Sequence, residues 1–122
     1  YSTEANNYIR ELQIKLEKKD FEISKQYYTI RDYKAAISSL DNFISNFPGT
    51  PYRENALYYK FISQYEIATN SVPSKRLERL EGAKDTYEAI LRYYPESLFM
   101  EDISEKLDEI QKQIKKIKEN NT

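Results

Sequence analysis

Apolar residues recur along this chain in threes and fours. From about Glu4 to Arg31 they are Ile9, Leu12, Leu16, Ile23, Tyr27 and Ile30. The Lys18-Lys19-Asp20 triplet interrupts this stripe but contains no helix breaker, so the spacing predicts one long helix with the stripe as its apolar face. A second helix is predicted from about Tyr33 to Phe47, with Ala36, Ile37, Leu40, Phe43, Ile44 and Phe47 on one side. Pro48 stops it, because proline disfavours helix at the residue before it, and Gly49 relaxes the turn. Thr50 is expected as the N-cap of a third helix, with Pro51 at its first position. That helix runs to about Asn70, with Leu57, Tyr58, Phe61, Tyr65 and Ala68 inward.

The stretch TNSVPSK, residues 69–75, is rich in turn formers and reads as a loop. A fourth helix is expected from Ser74 or Lys75 to Tyr94, carrying Leu77, Leu80, Ala83, Tyr87, Ile90, Leu91 and Tyr94. Pro95 stops it and Ser97 is expected to cap a fifth helix. There Ile103, Leu107, Ile110, Ile114 and Ile117 alternate fours and threes as in a heptad seam, which is expected to pack on the fourth helix. The closing KENNT, residues 118–122, is expected to fray.

Two of these helices share a layout at an interval of 47 residues. Ala36 matches Ala83, Leu40 matches Tyr87, Ile44 matches Leu91, Phe47-Pro48 matches Tyr94-Pro95, and Tyr52 matches Phe99. Hairpins with small, aromatic and proline positions at fixed spacing point to a helical solenoid of the tetratricopeptide type. Ala36 stands where that repeat needs a small residue, because two helices cross closely there. Leu40 takes the large apolar position, Tyr27 the first-helix aromatic, and Ile23-Ser24 the Leu-Gly pair. Asp20 departs from the expected Trp and Phe43 from the second small residue. The expected architecture is all-α, a right-handed solenoid of about five helices forming one domain. Residues 4–48 make one hairpin, 51–95 a second with a longer internal loop, and 97–119 a capping helix.

Composition agrees with helix and narrows the chemistry. Two glycines and four prolines in 122 residues, with abundant Lys, Glu, Leu and Ile, favour an all-helical chain. Hydrophobic residues are only 39%, but twelve tyrosines raise the aromatic share to 14%, and Tyr packs a large ring while keeping a polar tip. The net charge of −1 supplies no basic excess for nucleic acid. Without Cys or His the chain has no thiol nucleophile, no usual zinc ligand and no usual general base at neutral pH, so an enzyme is not expected. No cofactor is expected either. No apolar run approaches a membrane span. The chain opens on Tyr1 rather than Met, and a segment of a longer protein is expected.

The stretch from Lys15 to Lys60 resembles the C-terminal repeats of the BamD family of outer-membrane protein assembly lipoproteins. The resemblance rests on Leu16, Lys19, Phe21, Ile23, Tyr27-Tyr28, Tyr33, Ala35-Ala36, Phe47-Pro48, Thr50-Pro51-Tyr52 and Ala56-Leu57, and covers roughly residues 12–110. NSVPSKRLERLEGAKDTYEAILRYYPES looks like the version found in the Bacteroidetes branch. The resemblance implies a scaffold at the periplasmic face of the outer membrane, in the machine that folds β-barrels. Its C-terminal half docks on the POTRA domains of the central barrel subunit and neighbours other assembly lipoproteins. A lipidated cysteine outside this sequence provides the anchor. A different reading is a periplasmic coordinator or peptide-binding adaptor, which needs a groove of Lys, Arg and Asn aimed at a peptide carboxylate.

Candidate docking residues follow from residue type and position. In the pairs Tyr27-Tyr28, Tyr58-Tyr59 and Tyr93-Tyr94, neighbours point about 100° apart, so one ring can be core while the other is free. Tyr28 and Tyr59 are expected to be the free rings, and Tyr is favoured in binding hot spots. Arg31, Ser38, Ser39 and Asn42 lie on or beside the polar surface of the first hairpin. Lys75, Arg76 and Arg79 open the fourth helix, offset by Glu78 and Glu81, and read as a solvated face. Glu101, Asp102 and Glu105 read the same way, since they share one polar helix face rather than facing across a cleft.

Overall fold

The computed structural model describes residues 2–120, which form five helices and no strand. These are α1 (Thr3–Thr29), α2 (Tyr33–Asn46), α3 (Arg53–Thr69), α4 (Pro73–Tyr93) and α5 (Met100–Asn120). Each helix packs on the next, and α3 also touches α1 and α5. The result is a stack of antiparallel hairpins closed by α5, as the repeat pattern requires.

Local chemistry sets the helix starts. The Ser2 hydroxyl accepts from the Ala5 amide at 3.1 Å, and the Asp32 carboxylate accepts from the Ala35 amide at 3.2 Å, satisfying amides that no helical carbonyl reaches. Pro73 opens α4 at the position where its missing N–H costs nothing. The expected loop therefore shrinks to residues 70–72. At the other end α5 stays helical to Asn120, while the rest of the stretch expected to fray, Asn121 and Thr122, lies outside the described residues.

Two apolar cores run through the stack. Phe21, Ala36, Leu40, Phe43 and Ala56 fill the first, between α1, α2 and the start of α3. The larger second one, built on α3, α4 and α5, contains Phe61, Ile62, Leu80, Ala83, Ile90, Ile103 and Ile110. Ala36 and Ala83 are completely buried, which is the reason for a small side chain at each crossing. The seam of α5 packs as expected: Ile103, Leu107 and Ile110 are buried, and Ile114 and Ile117 lie against the second core.

The corners after Pro48 and Pro95 repeat one geometry. Phe47 and Tyr94 share the same backbone, at φ −130°, ψ 67° and φ −138°, ψ 62°. Thr50 and Ser97 each donate their amide to those carbonyls at 3.0 Å. Their hydroxyls accept from the amides of Tyr52 and Phe99, at 3.2 and 3.1 Å. Thr50 thus shapes a turn rather than capping the helix: Tyr52 holds the N-cap position and α3 starts at Arg53, not at Pro51. Each corner ends on a ring that stacks on the first helix of the hairpin before it. Tyr52 lies on Phe21 at 4.9 Å and Phe99 on Tyr58 at 4.1 Å, both within 9° of parallel.

The apolar stripe of α1 is not a buried face. Ile9, Leu12, Leu16, Ile23 and Ile30 are each 43–60% exposed, and Tyr27 is 36% exposed. Phe21, Ser24 and Tyr28 make the inward contacts instead, from the other side of the helix. Leu91, expected in the α4 stripe, is also exposed, whereas Ile90 beside it is buried.

Candidate interaction surfaces

Across α1, α2 and α3, aromatic rings form a continuous seam. Phe21 contacts Tyr59 at 6.3 Å, Tyr59 contacts Tyr28 at 5.0 Å and Tyr58 at 5.4 Å, and Tyr28 reaches Tyr33 at 6.1 Å. Tyr28 and Tyr59 are therefore not the free rings of their pairs. Both are half-buried, and Tyr28 packs against both cores while Tyr27 points outward. A spacing of three and four from Phe21 through Ser24 to Tyr28 carries this orientation in the sequence, alongside the more apolar stripe that masks it.

Polar groups fix the α5 end of the seam. The Tyr58 hydroxyl donates to Asp102 Oδ2 at 2.6 Å, and Lys106 Nζ donates to Asp102 Oδ1 at 2.7 Å. Burial pushes the Tyr58 phenol well above its ordinary value, and the bond to Asp102 adds to it by favouring the neutral form. Burial alone would raise Asp102, but the bonds from Lys106 and Tyr58 outweigh it and hold the carboxyl below its ordinary value. Asp102 is thus an anchor between α3 and α5, not a merely solvated acid; Glu101 and Glu105 are exposed as expected. Tyr28 and Tyr65 are also raised by burial, with Tyr33 and Glu109 the next contributors respectively. Lys25 sits 5.6 Å from the Tyr59 ring and Lys106 5.8 Å from Tyr65.

A second surface lies on the other side of α1. A shallow groove of about 430 Å³ between α1 and α2 is lined by Ile23, Tyr27, Ser38, Ser39 and Asn42, among others. The structure brings Ser38, Ser39 and Asn42 together there. Ser38 and Asn42 are exposed, whereas the Ser39 hydroxyl is paired with the buried Ser24 hydroxyl at 2.6 Å. Arg31 stands apart at the α1–α2 corner. It is exposed, with φ 65°, in the left-handed region that favours glycine. Its amide donates to the Tyr28 carbonyl and that of Asp32 to Tyr27, both at 2.9 Å, closing a Schellman turn.

The basic start of α4 is partly structural. Arg76 donates to the Ser71 carbonyl and Arg79 to the Ser71 hydroxyl, both at 2.7 Å, so they hold the α3–α4 turn, while Lys75 is exposed. Among the described residues no group of His, Cys, Asp or Glu is arranged to hold a metal ion, and no helix is long and apolar enough to cross a membrane.

These features define a small protein of stacked helical hairpins. The sequence profile of YfiO, described as outer membrane lipoprotein, matches residues 1–118. The chain belongs to that family. No curated protein matches it significantly.

Proposed function

We propose that this chain is a non-catalytic scaffold of the machinery that assembles outer-membrane β-barrels. It works at the periplasmic face of the outer membrane, docking on the POTRA domains of the central barrel subunit and beside other assembly lipoproteins. Family membership over nearly the whole chain carries this reading. The docking surface is the α1–α2 groove, where exposed Ser38 and Asn42 stand beside exposed Ile23 and Tyr27. That mixture of apolar and mostly neutral polar groups, with Asp20 the one carboxylate among them, suits a protein partner better than a small ligand. A peptide-carboxylate adaptor has less support: in the groove that brings Arg76, Lys116 and Asn120 together, Arg76 is already committed to the Ser71 carbonyl.

Calorimetric titration of the chain into purified POTRA domains of the same organism tests this. The expected result is saturable binding at micromolar concentration or below, lost in a Ser38→Glu, Asn42→Glu variant and kept in Lys112→Glu on α5. No binding at high concentration overturns the partner. Binding that survives Ser38→Glu, Asn42→Glu overturns the groove.

A further inference from the structure

A groove of about 580 Å³ crosses the middle of the stack, away from both of its ends. Helices α2 and α4 each pack on α3 and not on one another, so they form its walls and α3 its floor. Ile37 on α2 and Ile67 on α3, both half-buried, supply its apolar surface. Lys34 on α2 and Lys75 on α4 border it from opposite walls, both exposed, and neither makes an ion pair among the described residues. Arg79 adds a third cation, and Glu78 is the one carboxylate.

Two residues of this groove are unexplained by the fold. Gly82 lies in the interior of α4, where glycine is less favourable than alanine because it loses more conformational freedom on folding. Packing does not call for it. Its φ is not positive, and a Cβ at this place would meet only Gln64 Nε2, at 3.9 Å, an ordinary contact. The position 47 residues earlier in the repeat is held by an alanine, Ala35. Gln64 is the second residue: its Oε1 is buried without a hydrogen-bond partner.

We propose that this groove binds an extended, acidic segment of a partner protein. The backbone of the segment crosses α4 at Gly82, where the missing side chain lets two main chains come close. The Gln64 amide carries both a donor and an acceptor, and turning about its last side-chain bond it pairs with the peptide groups of the segment. Apolar side chains of the segment settle on Ile37 and Ile67, while its carboxylates reach Lys34 and Lys75. Three cations against one carboxylate select an acidic segment over a basic one. A small free anion would leave the isoleucines uncovered and Gln64 unpaired. The stability that α4 forgoes at Gly82 is therefore kept for binding.

Fluorescence anisotropy on the 122-residue chain tests this, with labelled eight-residue peptides alternating Asp with Leu, Val or Phe as probes and their Lys counterparts as controls. The expected result is saturable binding of at least one acidic peptide below millimolar concentration, weakened by salt, and none of the basic ones. Lys75→Glu weakens binding with an unchanged melting temperature. Gly82→Ala separates the two roles: it raises the melting temperature by about 3–5 °C and weakens binding about tenfold, because the added methyl group overpacks the contact. Absence of binding by every acidic peptide up to millimolar concentration overturns the site. Binding indifferent to both Lys75→Glu and Gly82→Ala overturns its location. A Gly82→Ala variant that melts lower shows that the fold itself needs the glycine, and overturns the argument drawn from it. Neither Lys75 nor Gly82 borders the α1–α2 groove, so the titration with POTRA domains is decided separately.

Discussion

Replacing Arg31 by glycine is expected to stabilise the protein. Arg31 closes α1 in the left-handed conformation, at φ 65°, and its Schellman bonds are both 2.9 Å long. An L-residue pays about 1–2 kcal/mol for that conformation, through the approach of its Cβ to the following carbonyl. Glycine pays none, but its unfolded chain is more flexible, which returns about 0.4–1 kcal/mol. The net gain is about 0.5–1 kcal/mol. For a domain of this size it raises the melting temperature by about 2–5 °C. Arg31→Ala is the control, because it removes the same exposed side chain and keeps the Cβ. Urea unfolding followed by circular dichroism, with both variants fitted to a common slope, isolates the backbone contribution. If Arg31→Gly is no more stable than Arg31→Ala, the corner is not strained and the reasoning fails. The pair also separates roles: a docking contribution of the guanidinium is lost equally in both variants, whereas only one of them gains stability.

Four further outcomes follow from the packing. Ala36→Leu and Ala83→Leu each destabilise by about 1–3 kcal/mol, and similarly, because both fill completely buried crossings at equivalent repeat positions; denaturant titration of both checks the equivalence. Ser39→Ala leaves the hydroxyl of buried Ser24 without its partner and costs about 1–2 kcal/mol, and Ser24→Ala added to it recovers part of that loss, which a double-mutant cycle in urea measures. Tyr58→Phe costs about 1 kcal/mol after discounting for the partly solvated Asp102, and is read as a shift in urea midpoint. Stability against pH is expected to fall at both extremes. Asp102 sits below its ordinary value of 3.8, so its contribution is present above pH 3.8 and disappears as pH falls below it. Tyr28, Tyr58 and Tyr65 sit above 10.0, so theirs is present below pH 10 and disappears as pH rises past it; Tyr58→Phe flattens that alkaline limb in thermal melts.

Periodicity, proline and small residues made all five helices, the 47-residue recurrence and the buried alanines legible. Periodicity shows that a helix has an apolar face, however, and not what that face meets. The stripe of α1 is the most regular in the first third of the chain, yet Phe21 and Ser24, one of them polar, are its buried residues. The same ambiguity hid that Tyr28 rather than Tyr27 turns inward and that Tyr59 packs as well as Tyr58, since neighbours differ only by a rotation, whereas Tyr94 was legible in the α4 stripe. Thr50 reads in the sequence as a helix cap and not as the pivot of a bend that Ser97 repeats, because serine and threonine suit caps and turns alike. The bond from Tyr58 to Asp102 joins residues 44 apart in the chain, and local spacing cannot show it.

The paired corners make the stack a lever as well as a shape. A tilt at the contact of Tyr52 on Phe21 would carry everything after the first corner with it, and one at Phe99 on Tyr58 everything after the second. A tilt of only about 10° at the first ring pair sweeps a point about 30 Å away, the length of a helix such as α5, through about 5 Å. Most of a substitution's effect at Phe21 or Tyr52 would then be felt at the far end of the molecule, as a change in the distance between the surfaces it presents. Those rings set the angle between the first hairpin and the helices that follow it.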